Sequence, residues 1–185
     1  MRSIEAAFLI GVEGATEVWL VRHADCYDDL GAAGDPALSP RGRKQAARLA
    51  TRLNRLGYDA VYASPLQRAL ETARCVTDNV RLDERLVEVG TALEEGHIEV
   101  TEQPEAVLAR MNAAVTDAVA AHAGGRVVMV GHGVAILGYV CDVLRLEFGS
   151  LRVLPYFTSV NIVRVLGERR MVGSLADVAH LEDLQ

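Results

Sequence analysis

Two histidines in this chain stand at the ends of apolar runs, each beside groups suited to an anion. Val18-Trp19-Leu20-Val21 leads into Arg22-His23, and Val127-Val128-Met129-Val130 leads into Gly131-His132-Gly133. Short runs of Val, Leu and Trp read as buried strands. In open α/β sheets, ligand chemistry collects at the carboxyl ends of such strands. A neutral imidazole there can attack as a nucleophile, and a guanidinium offers a forked pair of donors to phosphate or carboxylate. A third basic element is Arg68, in Ser64-Pro65-Leu66-Gln67-Arg68, where a helix begins directly after a strand. The free N–H groups and positive dipole end of a helix N-terminus suit phosphate, and Arg68 adds a bidentate donor.

These residues need a frame, and the hydrophobic pattern supplies one. Strand 17–21 precedes a loop, 24–37, rich in Gly, Ala and Asp. Ser39-Pro40 then reads as an N-cap and first helical residue, with Ala46, Leu49, Ala50, Leu53 and Leu56 at helical spacing up to Gly57. Strand 59–63 leads to a helix capped by Ser64-Pro65 and ending near Thr77, and a short strand follows near Val80 and Leu82. Residues 86–102 read as irregular and acidic. Beyond them come a helix over 104–122, a strand over 126–130 and a helix over 134–144. A hairpin over 159–165 and 169–172 turns at Gly167-Glu168. The alternation predicts an α/β fold, a three-layer αβα sandwich with a mainly parallel sheet. It forms a single domain over 16–185, after an N-terminal extension over 1–15.

Composition narrows the function. With 185 residues, half of them hydrophobic, the chain fills one domain. A formal charge of −6 argues against a general nucleic-acid surface. Lys44 is the only lysine among 19 basic residues, a bias that suits an anion site and equally reflects a GC-rich genome. Cys26, Cys75 and Cys141 form no CxxC pair and no even set, which fits a reducing cytoplasm. Cys75 and Cys141 lie in helical apolar patterns and read as core thiols, while Cys26 lies near the Arg-His loop. Ala6-Ala7-Phe8-Leu9-Ile10 is too short for a membrane span and is a poor secretory signal.

Four segments taken together, Leu20-Val21-Arg22-His23, Leu38 to Ala46, Ser64 to Ala73 and Gly131-His132-Gly133, resemble the histidine phosphatase superfamily, the phosphoglycerate-mutase-like or two-histidine phosphatases. The resemblance runs from residue 17 to about 181, where Ala176 to Leu181 resembles the family's closing segment. It implies that His23 is the nucleophile accepting a phosphoryl group, with Arg22, Arg68 and His132 around the phosphate oxygens. Glu88, in Arg85-Leu86-Val87-Glu88, falls where the family carries its proton donor, and Glu95-Gly96 fit the same register. Positive charge around His23 favours the neutral imidazole that attack requires, and His132, when protonated, offers another donor. Glu88 must carry a proton to deliver it to the leaving oxygen, so a bell-shaped pH dependence is expected. Such phosphoryl transfer needs no metal and no cofactor. The partner expected is a small phosphorylated substrate rather than a nucleic acid or a membrane.

Some positions depart from the family pattern. Ala24 replaces the usual glycine after Arg-His, Asp25-Cys26 replaces Glu-Thr, Asp29 stands where a phosphate-contacting Asn is common, and Ala92 stands where glycine is common. Duller readings compete elsewhere. His97 and His122 read as surface groups and His180 as a packing residue. Glu94, Glu95, Glu99 and Glu102 read as a solvated acidic loop, with Glu94 or Glu95 a backup donor. Tyr27, Tyr139 and Tyr156 read as core or pocket rim. A metal site built from His23, His132 and nearby aspartates lacks a compact ligand motif. The function expected is a metal-independent phosphatase acting on a small phosphomonoester through phosphohistidine. Its rivals are a phosphomutase, disfavoured by the short 89–103 stretch, a protein-phosphohistidine phosphatase, and a non-catalytic phosphate-binding module. The 151–157 stretch and the terminal hairpin are candidates for a homodimer surface.

Overall fold

The computed structural model describes residues 4–27, 35–94, 97–153 and 155–184. In chain order the elements are α1 (Ile4–Ala7), β1 (Thr16–Arg22), α2 (Pro40–Leu56), β2 (Ala60–Ala63), α3 (Gln67–Val76), β3 (Val80–Leu82), β4 (Thr91–Glu94), β5 (His97–Val100), α4 (Pro104–Ala121), β6 (Arg126–Gly131), α5 (Gly133–Leu144), β7 (Val160–Leu166) and β8 (Arg169–Asp177). Six strands form one sheet in the order β3-β2-β6-β1-β7-β8. The first four of these run parallel. β7 is antiparallel to β1, and β8 is antiparallel to β7. The sheet is thus mainly parallel, as the alternation of strands and helices predicts.

β1 is buried on both faces, which is why its sequence reads as a continuous apolar run. Trp19 and Val21 face a cluster with Leu49 and Leu53 of α2 and Ala69 and Ala73 of α3. Val18 and Leu20 face Val107 and Met111 of α4 and Ile136 and Tyr139 of α5. Each such Val or Leu, fully buried, contributes about 1.5–3 kcal/mol. Helices therefore cover both faces, and the three layers of the sandwich are present.

Ser39 caps α2 as its position predicts, its Oγ accepting from Gly42 N at 2.9 Å. α3 begins at Gln67, two residues later than a Ser64-Pro65 cap implies, because Leu66 holds an extended conformation and Ser64 faces the site described below. Two parts of the 86–102 stretch, Thr91–Glu94 and His97–Val100, are strands rather than irregular chain. β4 and β5 pair antiparallel, Thr91 opposite Val100 and Leu93 opposite Ile98. The period-two alternation of Ile98 and Val100 with His97 and Glu99 is the strand signal that the acidic count obscures. Glu102 is not simply solvated. Its two oxygens accept from Arg110 at 2.7 and 2.9 Å, and this pairing pulls its carboxyl below the ordinary range. Cys141 is buried as expected, but Cys75 is exposed because it falls on the outer face of α3. Tyr139 is fully buried. At the other end of the sheet Leu9 is only 1 % exposed, and Ala7 O accepts from Arg169 Nη2. Among the described residues, no helix is long and apolar enough to cross a membrane.

Candidate active site

Sheet register brings the two histidines together. Arg22 of β1 lies opposite Gly131 of β6 in the parallel pair, so the residue after each strand, His23 and His132, emerges beside the other. His23 N donates to Gly131 O at 2.9 Å, and the ring centroids are 5.1 Å apart. On the other side of β6, Ala63 of β2 lies opposite Val130, which sets Ser64 next in line. Ser64 Oγ is 2.9 Å from His132 Nε2. Three parallel strands thus deliver His23, His132 and Ser64 to one sheet edge, the place where open α/β sheets bind ligands.

The tautomer of His23 follows from its hydrogen bond. Nδ1 lies 2.8 Å from Ala24 O, an acceptor only, so Nδ1 carries the proton and Nε2 keeps its lone pair. Burial pushes the pKa of His23 down to about 3, and Arg68 and Arg22 push in the same direction. The imidazole is therefore neutral throughout the physiological range, with a nucleophilic nitrogen. Burial also takes His132 down to about 2, helped by His23, Arg68, Arg110 and Arg22. His132 is consequently neutral, and not the imidazolium that would donate from both nitrogens. With Ser64 Oγ–H donating to Nε2, its Nδ1–H is a buried donor without a protein partner.

Arg22 is clamped from behind. Its Nη1 donates to Pro155 O at 2.7 Å, and its guanidinium carbon lies 4.1 Å from the centre of the Phe157 ring. Phe157 also packs tilted against His23, ring centroids 5.8 Å apart. Arg22 Nε is buried and has no protein partner. A buried unpaired donor on a cation is costly, which suits a position where an anion is the intended partner. Glu88 supplies the strongest favourable charge on Arg22. Its carboxylate sits over the first turn of α5, with Oε1 accepting from Ala135 N at 3.1 Å and Oε2 from Val134 N at 3.4 Å. Arg110 Nη1 holds this loop by donating to the carbonyls of Arg85 and Val87, at 2.7 and 2.8 Å.

Arg68 lies in the first turn of α3, near enough to both histidines to lower their pKa values. Its Nη1 is 3.2 Å from Asp35 Oδ1, and the other Asp35 oxygen accepts from Gln67 N. A carboxylate therefore already occupies the combination of helix N-terminus and arginine fork that the phosphate reading assigns to the substrate. Thr72, one turn beyond Arg68, donates to Arg68 O and accepts from Ala24 N, locking α3 to the residue after the nucleophile. Ala24 is fully buried there.

The structure brings together His23, His132, Arg22, Arg68 and Glu88, all five candidates from the sequence. Asp29, Glu95 and Gly96 lie outside the described residues, as do the side chains of residues 91–99, among them Ala92, Glu94, His97 and Glu99. Tyr27 is half-exposed, and Tyr156 stands at the rim, its hydroxyl accepting from Arg41 Nη2 at 2.5 Å. His122 is no plain surface group, for its Nε2 lies 2.9 Å from Arg81 Nη1 and 3.3 Å from Tyr62 Oη. Sequence reasoning missed Ser64, Thr72, Asp35 and Phe157. Ser64 follows a strand end as His23 and His132 do, and that shared position is the signal that could have found it. Among the described residues, no three His, Cys, Asp or Glu side chains group closely enough to hold a metal ion.

Thr158 backs the nucleophile. Its N–H donates to Arg22 O at 3.0 Å and to His23 O at 3.3 Å. It holds φ +60, which for a β-branched residue stores strain of roughly 1–3 kcal/mol.

The profile of the histidine phosphatase superfamily (branch 1) matches residues 18–99 and 91–178, and the chain belongs to that superfamily of phosphatases. It is 27% identical over 205 aligned positions to a probable phosphoglycerate mutase GpmB of Enterobacter sp. (strain 638), covering 90% of this chain and 95% of that protein. Over a shorter stretch of 78 positions, 38% of this chain and 37% of the relative, it is 41% identical to phosphoserine phosphatase 1 of Hydrogenobacter thermophilus. Among solved structures it resembles Bacillus stearothermophilus YhfR with a TM-score of 0.76 and 27% identity, covering 90% of this chain and all of that one.

Proposed function

We propose that this protein is a metal-independent phosphatase that hydrolyses a small phosphomonoester through a phosphohistidine on His23. The observation that carries the reading is the state of His23, whose Nδ1–H is tied to Ala24 O and whose Nε2 is neutral beside two arginines. In this reading Nε2 attacks phosphorus in line, while Arg22, the Nδ1–H of His132 and Arg68, which exchanges Asp35 for the anion, hold the non-bridging oxygens. Positioned donors of this kind supply most of the catalysis in phosphoryl transfer. Glu88 is in this reading the group that passes a proton to the leaving oxygen as the ester bond breaks. It then takes a proton from the water that attacks phosphohistidine, which returns His23 and releases inorganic phosphate. Relatives bearing phosphatase names support hydrolysis, and those named as probable mutases keep transfer back to the substrate as the second reading.

The test is release of inorganic phosphate from a panel containing p-nitrophenyl phosphate, phosphoserine, 3-phosphoglycerate and sugar phosphates, with a chelator present. Release by the wild type that disappears in His23→Ala is the expected result. Interconversion of phosphoglycerates without release would establish the mutase. Activity that a chelator abolishes and a divalent metal restores would overturn the metal-independent scheme.

A further inference from the structure

The phosphate reading makes Arg22 a ligand but does not say what sets its position. Arg22 cannot place its own fork, because Nη1 and the face of the guanidinium are held by Pro155 O and the Phe157 ring, both on the segment before β7. That segment is anchored by Thr158. The Thr158 N–H bridges the carbonyls of Arg22 and His23, and its Oγ1 donates to Phe157 O at 2.7 Å. With that proton committed, the hydroxyl oxygen is left as an acceptor, and His180 Nε2 lies 3.0 Å from it. His180 Nε2 therefore carries the ring proton and donates it. This leaves Nδ1 as the acceptor that faces Arg52 Nη1 at 3.4 Å. Arg52 is in turn paired with Asp177, Nη1 to Oδ1 at 3.0 Å and Nη2 to Oδ2 at 2.5 Å, and Ala179 N donates to the same carboxylate.

Every donor in this chain thus meets an acceptor, in a single direction from Arg52 through His180 and Thr158 to the Phe157 carbonyl. The network spans from α2 to the closing 3-10 turn (Ala179–Leu184). Its far end opens on a cavity of about 460 Å³ lined by Arg48, Arg52, Arg55 and His180, so His180 stands between solvent and the back of the phosphate site. Thr158 needs such an anchor, since a buried β-branched residue at φ +60 stays there only where its surroundings over-determine it.

We infer that His180 is a positioning residue for phosphate binding, which acts through Thr158 to fix Phe157 and so the guanidinium of Arg22. The inference rests on the assignment of the phosphate site, but its readout is anion affinity and does not require turnover. His180 touches no reacting atom, so its loss should weaken binding of the anion more than it slows the chemical step.

The experiment compares wild type, His180→Phe and His180→Gln by tungstate affinity and by KM and kcat for p-nitrophenyl phosphate. Near-ultraviolet circular dichroism checks the fold of each variant. His180→Phe keeps the ring and loses the donor, and is expected to raise the tungstate Kd and KM about tenfold with kcat changed less than about threefold. His180→Gln, which restores an N–H donor, returns both to within about threefold. Wild-type affinity in a folded His180→Phe overturns the proposal, as does a loss that glutamine fails to repair. Should His180→Phe not fold, the pair Thr158→Ser and Thr158→Ala decides, with serine holding tungstate as the wild type does and alanine losing about the same factor. Equal affinity in those two overturns it. A wild type that binds tungstate but turns over no ester counts against the phosphatase reading, while the tungstate comparison still decides this one.

Discussion

His23 and Glu88 carry the two halves of the proposed chemistry, and each has a distinct kinetic signature. Burial and two arginines hold His23 neutral down to about pH 3. Between pH 7 and 5, therefore, kcat/KM corrected for the second ionisation of the ester should not fall through protonation of the nucleophile. An acid limb near the ordinary histidine value of about 6.5 would contradict this assignment. Glu88 is tested through the leaving group. Glu88→Gln should lower kcat about 10²–10³-fold for alkyl phosphates such as phosphoserine and much less for p-nitrophenyl phosphate, whose leaving oxygen needs little help. An equal loss for both esters would point to a binding role for the carboxylate.

The elements that bear these residues act through close backbone approaches. The N-terminus of α2 abuts the loop after His23 at Gly42, where an added Cβ would stand 1.8 Å from Asp25 O and 2.8 Å from its carbonyl carbon. Neither neighbour is a flexible side chain that could swing aside. Gly42→Ala should therefore cost about 1–3 kcal/mol of stability and shift the loop enough to lower kcat/KM. Thermal unfolding and kinetics on the same sample check it, and a neutral substitution would show that α2 can retreat freely. This approach, unlike the helix itself, was not legible in the sequence. Ser39-Pro40 announced the start of α2 because capping is local chemistry, whereas the meeting of Gly42 with Asp25 depends on how the helix lies on the sheet. Likewise the strand ends at His23 and His132 were readable one at a time, but their neighbourhood rests on the register of Arg22 against Gly131. The pairing of β4 with β5 was obscured by the acidic residues of that stretch. Asp35 and Phe157 could not have been found, since nothing in their local sequence ties them to Arg68 or Arg22.

At the scale of the whole molecule, the site is a burden on stability in acid. His23, His132 and His180 have pKa values of about 3, 2 and 4 in the fold, against 6.5 for an unperturbed histidine. As pH falls from about 6.5 towards 4, the unfolded chain takes up protons that the folded protein refuses. The contribution of these groups is thus fully present above pH 6.5 and is lost on acidification. The thermal midpoint should be level above about pH 7 and decline below about 6.5, before most carboxylates titrate, and His132→Gln should show a shallower decline. A midpoint unchanged between pH 7 and 5 would mean that the histidines are not buried neutral. The same burial that destabilises the fold in acid keeps the nucleophile ready at neutral pH.

The central claim, a covalent phosphoryl group on His23, is open to direct trapping. The wild type would be mixed with p-nitrophenyl phosphate in the presence of chelator, quenched in alkali to preserve phosphohistidine, and digested for peptide mass spectrometry. The account predicts a phosphoryl group on the peptide containing Arg22-His23, absent when substrate is omitted and absent in His23→Ala. Turnover of the ester with no phosphopeptide, or with the group on another residue, would contradict it.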